Sequence, residues 1–122
     1  MKTLIYLLFF LLPLGIVAQN LDWANITYGT GADILLDIAI DEDGNIYSTG
    51  FFSGDTYFND DTEKLIANGH ENSFIQKIDS KGVIIWKQQI SSNTTAVSVK
   101  VTVDSKGNCY VLGYFHENLT II

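Results

Sequence analysis

The chain has 122 residues, seven of them lysine and none arginine, against 14 acidic residues, for a formal net charge of −7. Recognition of polyanions leans on positive patches and guanidinium forks, so nucleic acid and anionic membrane surfaces are excluded as expected partners. Cys109 is the only cysteine, which rules out an intramolecular disulfide.

Lys2 precedes an unbroken apolar run over residues 4–12, Pro13 and Gly15 then break any helix, and Ile16-Val17-Ala18 leads into Gln19. A cationic start, a short apolar stretch and a small residue before a polar segment predict a signal peptide over 1–18, cleaved between Ala18 and Gln19. The run is shorter than the roughly 20 apolar residues that span a bilayer, so no membrane insertion is expected after cleavage. The expected product is secreted or displayed on the cell surface. It keeps all 14 acidic residues against six lysines.

Residues 21–28, with Trp23, read as a lone outer strand. Ile34, Leu36, Ile38 and Ile40 then alternate with Leu35, Asp37, Ala39 and Asp41, the period of two that a strand imposes. Asp41-Glu42-Asp43-Gly44-Asn45 predicts a tight turn, with the carboxylate accepting backbone N–H groups and the glycine free to take positive φ. Residues 46–51 return as the second strand. In the long connection from 53 to 72, residues 56–58 and 65–67 predict a small hairpin. Residues 74–78 form a third strand, Asp79-Ser80-Lys81-Gly82 a second turn, and 83–89 a fourth strand holding Trp86.

The pattern then starts again. With Trp23 set on Trp86, Asp41, Gly44, Asn45, Tyr47, Gly50 and Phe52 fall on Asp104, Gly107, Asn108, Tyr110, Gly113 and Phe115, always 63 residues on. Seven of 37 aligned positions are identical, and they are turn residues, aromatics and one further glycine. Ile34, Leu36, Ile38 and Ile40 fall likewise on Val97, Val99, Val101 and Val103. Four short strands per unit, joined by Asp–Gly turns and marked by periodic glycine and tryptophan, predict a propeller blade. The fold class is therefore all-β, an incomplete β-propeller of about one and a half four-stranded antiparallel blades. Its parts are the outer strand at 21–28, a complete blade at 34–89 and the first two strands of the next at 96–115. One, four and two strands cannot close a ring of at least four blades, so 19–122 is expected to be a piece of a longer propeller or to assemble with others.

The segments DIAIDEDGNIYSTGFFSG, FIQKIDSKGVIIWKQQI and VTVDSKGNCYVLGYF resemble SBBP-type β-propeller repeats, which occur in exported bacterial proteins described as cell-surface or S-layer-like. The combination D-x-x-G-N-x-Y-x-x-G-x-F with a later F-I-x-K-x-D-x-x-G-x-x-x-W carries the resemblance. It implies a fold and a location, and no catalytic residue carries over.

Asp41-Glu42-Asp43-Gly44-Asn45 has the look of a calcium loop. An EF-hand loop needs glycine at position six and a bidentate glutamate at twelve, and those places hold Ile46 and Phe52. The turn around Asn59, Asp60, Asp61 and Glu63, with Asp55 nearby, offers the hard oxygen donors that calcium takes, but a solvated acidic turn is the favoured reading. His70 and His116 stand beside Glu71 and Glu117 in expected loops, with no nucleophile at an interpretable spacing. Cys109 lies in an apolar strand where the first unit has Ile46, which predicts a small packed hydrophobe. Tyr47, Phe51, Phe52, Tyr110, Tyr114 and Phe115 recur with the repeat and are expected to pack in the core. No residue is assigned as catalytic, cofactor-binding or metal-binding, and no cofactor is expected.

The function this predicts is an exported propeller segment with a non-enzymatic surface, adhesion or binding role. The remaining blades, other copies of the chain, or an extracellular glycan or protein would be its partners. The alternative is part of a propeller enzyme acting on extracellular glycans, with calcium in the acidic loop.

Overall fold

The computed structural model describes residues 20–59 and 63–122. The signal peptide expected over 1–18 lies outside them, as do Asp60 and Asp61. The described residues hold ten strands and no helix: β1 (Thr27–Gly29), β2 (Asp33–Ile40), β3 (Ile46–Phe52), β4 (Asp55–Phe58), β5 (Leu65–Ile66), β6 (Asn72–Ile78), β7 (Ile84–Ser92), β8 (Ala96–Val103), β9 (Cys109–Phe115) and β10 (Leu119–Ile121). β2, β3, β6 and β7 form a four-stranded antiparallel blade, to which β10 adds as a fifth strand beside β7. β8 and β9 form the first hairpin of a second blade, and β1, β4 and β5 a small separate sheet. The fold is an incomplete, propeller-like all-β assembly.

The turns follow from one chemical device used three times. Asp41 Oδ1 accepts the N–H groups of Asp43 and Asn45, Asp79 Oδ1 those of Lys81 and Val83, and Asp104 Oδ1 those of Lys106 and Asn108. Gly44, Gly82 and Gly107 close these turns at φ of 80°, 88° and 79°, where a side chain would be strained. In the first and third turns the other carboxylate oxygen also takes an asparagine Nδ2 and a tyrosine hydroxyl, from Asn45 and Tyr47 or from Asn108 and Tyr110.

Hydrogen bonding from Asn45, helped by Lys77 at 3.4 Å, lowers the Asp41 pKa from its ordinary 3.8 to about 2. Hydrogen bonds from Asn108 lower that of Asp104 as well. A depressed folded pKa stabilises the fold above the unfolded value, and that contribution is lost as pH falls through the folded one. Stability should therefore be level near neutrality and fall between about pH 4 and 2, with Asp41→Asn flattening the fall. Urea titrations at stepped pH, followed by tryptophan fluorescence, measure this.

The structure carries the 63-residue repeat in its backbone. Register slips between Leu35 and Asp37 and again between Ser98 and Lys100, so Leu36 and Val99 are equivalent bulges. The bulge corrects the strict alternation expected over residues 34–40. Ile34 shares a face with Asp37 and Ala39, while Leu35 shares the other with Ile38 and Ile40, as their partners on β3 show. Opposite each bulge stands a glycine, because a Cβ on Gly50 would lie 1.9 Å from the Ile34 carbonyl oxygen and one on Gly113 2.3 Å from that of Val97. Gly54 and Glu117 both take positive φ, at 71° and 64°.

The units also interlock by backbone pairing. Thr27, Tyr28 and Gly29 pair with Phe58, Tyr57 and Thr56; 63 residues on, Ile90, Ser91 and Ser92 pair with Ile121, Thr120 and Leu119. The next rung repeats too, Asn59 N–H to Ile26 O and Ile122 N–H to Gln89 O. β10 is thus the second unit's β4, laid against the outer strand of the unit before it. β1 takes the matching place of an outer strand, shorter than the 21–28 expected and paired rather than alone.

The equivalent settings expected for the two tryptophans are not found. Trp23 precedes β1, donates from Nε1 to the Ser80 carbonyl at 3.1 Å and rests its ring on Gly82. Trp86 lies within β7, edge-on to Tyr47. The open carbonyl and bare glycine of the 79–82 turn offer Trp23 an acceptor and a flat seat that Trp86 does not use.

The blade buries both faces. On one, Phe52 and Phe74 pack with Phe58 of β4, against Leu65, Ala67 and Ile84. The hairpin expected at 56–58 and 65–67 exists as β4 and β5, and it covers this face where Phe58 meets Phe52 and Phe74. On the other, Tyr47 and Ile75 pack with Val101 of β8, with Ala39, Trp86, Val103 and Cys109 around them.

Candidate functional site

Consecutive blades meet through opposite faces. β8 turns Val101 and Val103 towards Tyr47, Ile75 and Ala39, and Cys109 of β9 joins the same contact. The seam has a polar clasp, in which Asp37 Oδ2 accepts the Val101 N–H at 2.9 Å and Asp37 Oδ1 lies 3.4 Å from Lys100 Nζ. The Val101 N–H is the main reason the Asp37 pKa is lowered.

Side chains of directly opposed residues share a face, so Tyr110, Leu112 and Tyr114 lie on the face of Thr102, Lys100 and Val97 that is turned away from the first blade, with only the long Lys100 chain reaching back to Asp37. Tyr47 is 1% exposed, whereas its repeat partner Tyr110 is 55% and Leu112 65% exposed. The core packing expected of the repeated aromatics therefore holds for Tyr47 and Phe52 but not for Tyr110, Tyr114 and Phe115. Tyr110 and Tyr114 turn outward, where no described strand stands over them, while Phe115, on the other face of β9, stays half exposed at its end. The outer face carries a shallow depression of about 330 Å³ over Thr102, Tyr110 and Leu112. Beside it runs a groove of about 290 Å³ between Val97, Tyr114 and the β10 residues Leu119 and Ile121. At the opposite end of the blade pair, Leu35, Ile38 and Ile40 form a second exposed apolar strip on β2, with Ile38 53% exposed. Single apolar residues on a surface need no explanation, but contiguous strips of this kind mark interaction sites.

The residues with chemical potential are occupied structurally. The carboxylates of Asp41 and Asp104 are taken up by their own turns. In the acidic hairpin, Asp55 is paired with Lys64 at 2.6 Å. Asn59 sits at φ 51°, accepts the Ile26 N–H and bonds the Asn25 side chain, and the Glu63 carbonyl accepts from Lys87 at 3.2 Å. Among the described residues no three His, Cys, Asp or Glu side chains stand close enough to hold a metal ion. His70 and His116 are exposed and work through their backbones, both donating N–H groups to the loop at Thr94 and Thr95. Cys109 is half-buried against the Tyr47 cluster, and that burial pushes its thiol pKa up, away from the thiolate a nucleophile needs.

Both apolar strips escape a sequence reading that treats repeated aromatics as core. One signal could have found the larger: Thr49, which is buried, has Leu112 as its counterpart, a change from polar to apolar at a position the repeat would otherwise cover.

No family model matches the chain. Among curated proteins it is similar to an uncharacterized WD repeat-containing protein of Acanthamoeba polyphaga mimivirus, 33% identical over 108 residues. The match takes in 79% of this chain and 8% of that relative, so the chain spans a small part of the relative's length. The likeness is to a propeller-type repeat, in keeping with the blade and hairpin described above.

Proposed function

We propose that the chain is an exported propeller-repeat module of SBBP type, with a non-enzymatic structural, adhesion or binding role at the cell surface. The observation that carries this reading is the pair of exposed apolar strips on an interlocked two-unit framework in which Asp41, Asp79 and Asp104 are committed to turns and Asp37 and Asp55 to ion pairs. A framework of that kind presents surface. Likeness to a WD repeat-containing protein supports a propeller-type binding or scaffold role. The leader at 1–18, with its cationic start and short apolar run, supports export. The acidic mature surface supports an extracellular protein or neutral glycan as partner over any polyanion.

The test is expression in an export-competent bacterial host with sequencing of the released product. The expected N-terminus is Gln19. Recovery of Met1 on a membrane-bound species would overturn export, and turnover of an extracellular glycan by the purified chain would overturn the non-enzymatic role.

A further inference from the structure

We infer that the two exposed strips are complementary, and that a second copy of this chain docks its Leu35–Ile38–Ile40 strip onto the Tyr110–Leu112–Tyr114 face of the first, head to tail. The inference deepens the propeller-module reading and rests on it. Its template is the seam already inside the molecule. There, Val101, Val103 and Cys109 of the second unit sit on Tyr47, Ile75 and Ala39 of the first. Moving back by 63 residues, Val101, Val103 and Cys109 become Ile38, Ile40 and Ile46. Moving forward, Tyr47 and Ala39 become Tyr110 and Thr102. Each copy therefore carries counterparts of both halves of the seam, one at each end: the isoleucine half is larger than the internal Val101, Val103 and Cys109, and the other keeps the tyrosine and sets Thr102 in place of Ala39.

Backbone geometry supports the same register. Both hairpins share the bulge, at Leu36 and Val99, so their strips have the same curvature. The Tyr110 hydroxyl is held by Asp104 Oδ2 at 3.1 Å, as the Tyr47 hydroxyl is held by Asp41 Oδ2 at 3.3 Å, so the two rings are presented alike. Charge is complementary as well. Asp37 and Lys100 are repeat counterparts that already pair across the internal seam. Between copies, Lys100 of the first stands where Asp37 does inside the molecule and meets Asp37 of the second. The incoming copy also brings β1 to the outer-strand place of the β8–β9 blade, which no described strand of the first copy occupies. The third-strand place of that composite blade stays open.

Such contact is heterologous, each copy using two different surfaces, so it adds copies head to tail, into a chain or a closed ring, rather than forming a symmetric pair. The test uses the chain purified after expression from its full sequence, run by size-exclusion with light scattering over a range of concentration. Masses rising with concentration above the monomer are expected. Ile38→Asp and Leu112→Asp, both at exposed positions, should each be monomeric alone. Mixed in equal amounts, they should form a one-to-one dimer that grows no further, since each retains the strip the other has lost. A wild type monomeric at every concentration overturns the inference, as does a mixture that fails to pair or single variants that still stack. Should either Asp variant lose its β circular dichroism, Ile38→Ser and Leu112→Ser carry the same comparison. A folded, secreted monomer would sink the stacking and leave the surface-module reading standing, whereas stacking by an unexported chain would do the reverse.

Discussion

Gly50→Ala is expected to be among the most damaging single-methyl additions in the chain. The added Cβ would lie 1.9 Å from the Ile34 carbonyl oxygen, with the Ile34 carbonyl carbon and Leu35 Cα both at 2.9 Å. These are backbone atoms of the bulge, so no rotamer change relieves the clash and the β2–β3 pair must part. Overpacking of this kind costs about 3 kcal/mol, which lowers the melting temperature of a domain this size by roughly 12–24 °C. Gly107→Ala is the control. It has open space around its Cβ position, so the strain of positive φ remains, about 1–2 kcal/mol. Thermal melts of the two variants should differ clearly, and equal melting temperatures would mean that the bulge gives way cheaply.

Phe74→Ala should cost about 3–5 kcal/mol, the usual loss for a fully buried aromatic. Phe74 is 1% exposed, packs against Phe52, and meets the Phe58 ring edge-on at 5.1 Å. It lies where the β4–β5 hairpin is pinned to the blade, so its loss leaves a cavity and frees that hairpin. Small domains have about 5–15 kcal/mol in total, so the variant should be marginal at room temperature. Urea unfolding measures it: the midpoint should drop sharply, and a slope that also falls would show the hairpin detached before the blade opens. A midpoint within experimental error of the wild type would show that this cluster contributes little.

The repeat was readable because its markers have local causes. Asp41, Gly44 and Asn45 make a turn from their own side chains and φ preferences, whatever surrounds them, and the same letters at Asp104, Gly107 and Asn108 do so again. The β4–β5 hairpin was readable from two short apolar runs flanking polar residues. The bulge was not, because Ile34, Leu35 and Leu36 are all apolar and satisfy either register. Gly50 within a strand was its one trace. β10 was not readable either, since three residues make a strand only when β7 offers an edge, and that edge belongs to the preceding unit. The apolar face of β9 reads as core in the sequence because a repeat predicts side-chain type, while burial depends on what lies on top.

The interlock of β10 with β7, and of β4 with β1, has a consequence for how such a chain can change length. Each unit lends a strand to its predecessor, so neither owns the boundary between them. An unequal crossover that aligns any residue with the one 63 positions on yields one product longer and one shorter by a whole unit and preserves every loan, wherever the breakpoint falls. Any other insertion within a strand puts donor and recipient out of phase and exchanges inward for outward side chains. Duplication in steps of one unit is therefore mechanically silent, and a gene built this way can grow or shrink by whole units without passing through a misfolded intermediate.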